Sequence, residues 1–350
     1  MRVLNEAVGP VVVDVQGTVL TPQEKERLRH PLVGGVILFS RNFSDRPQLQ
    51  ALCADIHALR PELLIAVDHE GGRVQRFKTG GFTHLPAMHA LGTLFEKQPE
   101  EAITVAQAIG FILAAELRAC GVDLSFTPVL DLDYGVSEVI GSRSFHRDPD
   151  IVTRLAESLI HGLNKAGMAS CGKHFPGHGA VAVDSHVGIP IDERPLSAIV
   201  DEDMVPYRWL GGTLLSAVMP AHVIYAQVDK LPAGFSPYWL QRVLRRSLAY
   251  QGVIISDDLS MQGASVVGGI TQRAQAALEA GCDMVLVCND PERADQLLAE
   301  LEYDMPCSSQ TRVHALKPNA FSMSWEELQE DEYYCYAQEL RARHFSTPAA

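Results

Sequence analysis

Val33-Gly-Gly-Val-Ile-Leu-Phe39, then a helical pattern over residues 46–60, then Leu63-Leu-Ile-Ala-Val67, is the passage that decides the fold. The two flanking runs are apolar without polar alternation, which is how strands buried on both faces read. Between them Leu49, Leu52, Ile56 and Leu59 recur at helical spacing. A strand, a helical connection and a second strand make a parallel pair. The unit recurs outward from there, with further runs at 9–15, 123–129, 169–171, 214–219, 253–255 and 283–287, the fifth in chain order being the weakest. Helical patterns separate them at 100–120, 150–166, 196–210, 237–250, 271–280 and 291–301. Thr21 and Glu24 have capping-box spacing, and Gly167, Gly252 and Gly281 stand where C-terminal caps are expected. Eight such units in about 300 residues predict an α/β fold, a TIM (β/α)₈ barrel, with a doubly wound sheet as the alternative.

Residues 1–303 are expected to form this barrel as a single domain. Residues 304–350 are more polar at first, and Ser324 with Glu327 then starts an expected helix over 325–343. The extension reads as a short helical appendage packed on the barrel.

The 350 residues carry 29 Lys and Arg against 43 Asp and Glu, a net charge of −14. With no clustered basic stretch, nucleic-acid binding is excluded, since it needs a positive footprint. The most apolar long stretch, 102–120, carries Thr104, Gln107, Glu116 and Arg118, so it reads as a buried amphipathic helix and no membrane span is expected. The start of the chain lacks the charge and apolar pattern of a signal peptide. The seven cysteines are scattered without a CxxC pair, as expected of reduced thiols in a cytoplasmic protein.

In a barrel, chemistry sits beyond the C-terminal ends of the strands. The residues there are Asp14, Arg41 and Asn42, Asp68, Asp131, Lys173 and His174, His222, Asp257 and Asp258, and Asn289. The densest passage is Lys173-His-Phe-Pro-Gly-His-Gly179 with Asp184-Ser-His186, whose glycines and proline suit a tight loop near a ligand. If the chain turns between Asp184 and His186, the carboxylate can orient the imidazole for proton transfer. Asp257 is the first carboxylate past its run, with a helix N-cap as its structural alternative, and Asp258 is the better candidate to cap the next turn. Asp68, Arg73 and Arg76 share a glycine-containing loop, and Arg143 lies in another polar loop. The phosphate-loop, dinucleotide, HExxH and GxSxG patterns do not occur.

At these residues the sequence resembles the family 3 glycoside hydrolases, and within them the bacterial β-N-acetylglucosaminidases of peptidoglycan recycling. The resemblance rests on Ala66-Val-Asp-His-Glu-Gly-Gly-Arg-Val-Gln-Arg76, Phe126-Thr-Pro-Val-Leu-Asp131, the 173–179 and 184–186 segments, Met219-Pro-Ala-His222 and Ser256-Asp-Asp-Leu-Ser-Met261. It implies a retaining mechanism with Asp257 as nucleophile and His186, oriented by Asp184, as acid/base. It assigns Asp68, Arg76, Arg143, Lys173 and His174 to N-acetylglucosamine. It implies no metal and no cofactor, an anhydro-muropeptide substrate, a cytoplasmic location and a monomer. Many members carry a second α/β domain that supplies the acid/base; here the histidine loop is expected to do that work. Residues 305–350 match none of the family's motifs. Three rivals remain: a metal-dependent hydrolase using His174, His178, His186 and Asp257, a phosphorylase, and a carbohydrate-binding protein without turnover.

Overall fold

The computed structural model describes residues 8–185, 188–318 and 322–345. Eight strands, Val11–Asp14, Val33–Leu38, Leu64–Val67, Leu124–Ser125, Cys171–Phe175, Ala217–Pro220, Val253–Asp258 and Met284–Leu286, form one parallel sheet. The first strand pairs with the second and the eighth. The seam between the fourth and fifth is closed by bridges of Leu124 to Ala169 and Val129 to Lys173. The sheet is therefore a (β/α)₈ barrel, as the eight runs predict.

Alternation along the strands separates two cores. Val12, Ile37, Leu64, Ala66, Leu124, Cys171, Ala217, Ile255, Met284 and Leu286 share the inner cluster. Val11, Val13, Val36, Ile65, Val67, Val218, Ile254 and Val285 pack outward with the helices. Met305, Val313 and Leu316 join the inner cluster. Met305 precedes the helix Cys307–His314, Val313 lies in its last turn and Leu316 in the turn after it, a segment whose polar composition gives no sign of this burial. That segment is tied down by Ser309 and Arg312 donating to Asp283 at 2.6 and 2.7 Å, and by Lys317 donating to Asp123 at 3.0 Å.

The surrounding helices follow local signals. Thr21 and Glu24 form the expected capping box. Gly167 and Gly281 have φ of +77° and +123°, whereas the left-handed residue after the wide-turned helix Tyr238–Ser247 is Ala249, not Gly252. The expected helix 196–210 is two, Leu196–Asp201 and Val205–Leu210, because Glu202 departs from helical geometry and Pro206 suits a new first turn. Met88–Lys97 is a helix without a side-chain cap, which left no local signal to read. Helix Pro99–Ala119 is long and apolar enough to cross a membrane, but 78% of its most apolar stretch is buried inside the protein.

The expected helix 325–343 is also two, Trp325–Glu330 and Glu332–His344. Asp331 is extended between them (φ −68°, ψ 122°), and its carboxylate caps the second by accepting from the Tyr334 amide. Trp325 packs on Phe82, and Tyr334 donates to the buried Glu116 at 2.7 Å. Tyr334→Phe should lower stability by about 1 kcal/mol or more, the worth of a buried hydrogen bond, in urea unfolding. An unchanged midpoint would mean that this contact contributes nothing.

Candidate active site

The inward positions of the third strand are Leu64 and Ala66, and the same parity carries Asp68 and Glu70 into the barrel mouth. Just beyond, Gly71 and Gly72 take φ of +111° and +55°. A Cβ on Gly71 would sit 2.4 Å from the Pro86 carbonyl oxygen, so only glycine fits. The chain then turns back as a small hairpin, His69–Gly71 against Val74–Gln75. Gln75 fixes it, accepting from the Leu85 amide at 3.0 Å and donating to the Thr83 carbonyl at 2.7 Å. Parity also turns Lys173 inward with Cys171, and Asp257 inward with Ile255.

The mouth holds a cavity of about 250 Å³. Its wall carries a chain of charges. Lys173 Nζ lies 2.8 Å from Asp68 and 2.7 Å from Glu70. Arg143 grips Glu70 with two bonds of 2.8 Å, and Arg76 approaches Asp68 at 3.5 Å. Burial alone would raise the Glu70 carboxyl, but Arg143 and Lys173 hold it well below the usual carboxylate range. Burial works against the Lys173 ammonium as well, yet Asp68 and Glu70 keep it charged. Three cations against two carboxylates leave this wall with a positive excess on an acidic protein.

On the adjoining wall the buried Asp131 organises the 173–179 segment. One of its oxygens lies 2.7 Å from His174 Nδ1; the other accepts from the His174 and His178 amides at 3.1 and 2.7 Å. Burial would raise Asp131, but the neighbouring His174 draws it below its ordinary value. With Nδ1 so engaged, Nε2 is the ring nitrogen His174 has left for a ligand in the cleft it lines. At the seventh strand, an Asp257 oxygen accepts from the Asp258 amide at 2.8 Å. Asp258 caps the turn that follows, accepting from the Ser260 amide at 2.9 Å, and burial pushes its carboxyl up to about 6.

Asp68, Arg76, Arg143, Lys173, His174, Asp184 and Asp257 all line this one cleft, although the chain separates them by up to 189 positions (257 − 68). His186 lies outside the described residues. Lys173 and His174 stand within the fifth strand, not in a loop after it, because that strand runs on to Phe175. Glu70 and Asp131 are the structural partners that residue-by-residue reading gave no role. The two-residue step from Asp68 to Glu70 was the available signal. Among the described residues, no group of three or more His, Cys, Asp or Glu is arranged to hold a metal.

Comparison with known proteins agrees with this layout. Residues 9–316 match the N-terminal domain of glycosyl hydrolase family 3. A β-hexosaminidase of Bordetella parapertussis is 60% identical over 336 residues, covering 96% of this chain and 95% of its own. One from Nitrosospira multiformis is 54% identical, covering 95% of each. Among solved structures, NagZ from Neisseria gonorrhoeae in complex with N-trifluoroacetyl-D-glucosamine superposes with a TM-score of 0.92 at 48% identity, over 98% of this chain and 100% of that one.

Proposed function

The chain belongs to glycosyl hydrolase family 3 and is a glycosidase of the β-hexosaminidase kind, and from that premise we propose a retaining exo-β-N-acetylglucosaminidase acting on anhydro-muropeptides. The observation that carries the reading is the inward Asp257 carboxylate facing a cleft whose opposite wall is the Asp68–Lys173–Glu70–Arg143 chain. In the proposed reaction Asp257 attacks the anomeric carbon and forms a glycosyl-enzyme. His186, steered by Asp184, protonates the departing oxygen and then deprotonates the incoming water. An imidazole in this role spares the site a second anion beside the nucleophile, which would raise one carboxyl. Asp68, with Arg76 and Lys173 beside it, offers a fixed acceptor for sugar hydroxyls. Arg143, Lys173 and His174 supply donors whose directions are set by Glu70 and Asp131. A cytoplasmic site of action and a monomer are part of the same proposal.

His186→Ala should slow glycosides with poor leaving groups far more than activated aryl glycosides, because acid assistance matters less when the leaving group is already good. Equal losses on both, measured as kcat/KM, would remove His186 from proton transfer. The proposed function is tested by incubating the enzyme with N-acetylglucosaminyl-β-1,4-anhydro-N-acetylmuramic acid and following the first-formed sugar by NMR. The β-anomer of free N-acetylglucosamine is expected. Initial α-anomer would exclude retention, and a sugar phosphate formed only with phosphate present would make the protein a phosphorylase.

A further inference from the structure

His178 is 3% exposed and lines the cleft, yet among the described residues neither its Nδ1 nor its Nε2 has a hydrogen-bond partner. A buried imidazole with both nitrogens unmet is costly, by about 1–3 kcal/mol for each unsatisfied group. Its placement is nevertheless fixed from several directions. Its amide donates to Asp131, and the preceding Gly177 carbonyl accepts from Tyr225 Oη at 2.7 Å. A Cβ on Gly179 would meet the Leu132 carbonyl oxygen at 1.8 Å, so the chain after His178 passes that carbonyl too closely for any residue but glycine. The ring stands 6.1 Å from that of His174. The fold thus holds an unsatisfied ring rigidly at the cleft wall, beside a histidine whose own partner is built in.

We propose that His178 is a further substrate-binding residue, its ring hydrogen-bonded to a hydroxyl of the sugar seated in the cleft. This rests on reading the cleft as a sugar site. Burial lowers the affinity of this imidazole for a proton, so the ring is neutral, with one donor and one acceptor. A hydroxyl also has one donor and acceptor capacity, so the two are complementary. An anion would demand donors alone, and Arg143 and Lys173 already supply them on the other wall.

The test compares wild type, His178→Leu and His178→Asn on an aryl N-acetyl-β-glucosaminide and on its analogues lacking one ring hydroxyl each, with thermal unfolding measured alongside. For wild type, one analogue should lose about 10-fold in kcat/KM, the scale of one hydrogen bond. His178→Leu should lose about 10-fold on the parent glycoside, and no more on that analogue. Its unfolding midpoint should hold or rise, because an unsatisfied polar group has been replaced by an apolar one. His178→Asn, which keeps a donor and an acceptor, should retain more activity than His178→Leu. A His178→Leu enzyme within about twofold of wild type overturns the proposal, as does one that unfolds or loses equally on every analogue. Those results would leave the sugar reading intact. A wild type inert toward the parent glycoside would remove that reading, and this proposal with it.

Discussion

Asp257→Ala should lose at least about 10⁴-fold in kcat, the scale on which removing a nucleophile acts, while unfolding at nearly the wild-type midpoint and still binding N-acetylglucosamine. The reasoning is local. The carboxylate sits at the inward end of the seventh strand, where Ile255 below it belongs to the barrel's inner cluster. The turn that follows is capped by Asp258, with its bonds to Ser260 and to the Cys288 amide. Removing the Asp257 side chain therefore leaves the turn's cap in place. Sugar binding should survive because the partners proposed for the sugar's hydroxyls and amide, Asp68, Arg76, Arg143, Lys173 and His174, are left in place around the cleft. Kinetics on an aryl glycoside and calorimetric titration with N-acetylglucosamine decide it. A variant with near-normal kcat would remove Asp257 from the chemistry, and one that fails to fold would make it structural.

Glu70→Gln is expected to have the largest effect on stability. Glu70 is buried and bonds both Arg143 and Lys173, so an amide in its place leaves a buried lysine and a half-buried arginine short of one negative charge. Breaking a buried ion pair from one side costs about 3–5 kcal/mol. Because its folded carboxyl is held below the ordinary value of 4.5, Glu70 binds fewer protons folded than unfolded in acid. Its contribution is therefore fully present above about pH 4.5 and is lost as the pH falls below that. Urea unfolding from pH 7 down to pH 3 should show wild type weakening steeply at the acid end. Glu70→Gln should be weaker throughout and flatter there. Activity should fall too, since Lys173 and Arg143 lose the acceptor that aims them. A midpoint within error of wild type at pH 7 would contradict this account of the charge chain.

The barrel was legible because burial on both faces writes each strand as an unbroken apolar run. The fifth strand was the faintest because one of its inward residues is Lys173, whose burial is made possible by Asp68 and Glu70 just beyond the third strand. That compensation lies 105 and 103 positions away (173 − 68, 173 − 70), beyond any local pattern. The candidate site was legible wherever a polar residue follows an apolar run, as at Asp68 and Asp257. It was less so where a residue's meaning is its partner. Glu70 reads as one more loop acid until Arg143 closes on it, and Asp131 as one more strand end until His174 and His178 lean on it. Helix breaks at Glu202 and Asp331 escaped for a related reason: the periodicity carries across them, while the backbone turns to satisfy a new cap or a new first turn.

The claim on which the rest turns is a covalent bond between sugar and Asp257. Rapid acid quench during turnover of an activated N-acetyl-β-glucosaminide, followed by proteolysis and mass spectrometry, tests it directly. A single N-acetylhexosamine adduct on the peptide containing residues 253–258, absent from Asp257→Ala, is the expected result. An adduct mapped to another residue would contradict it, as would turnover of that glycoside by Asp257→Ala at the wild-type rate.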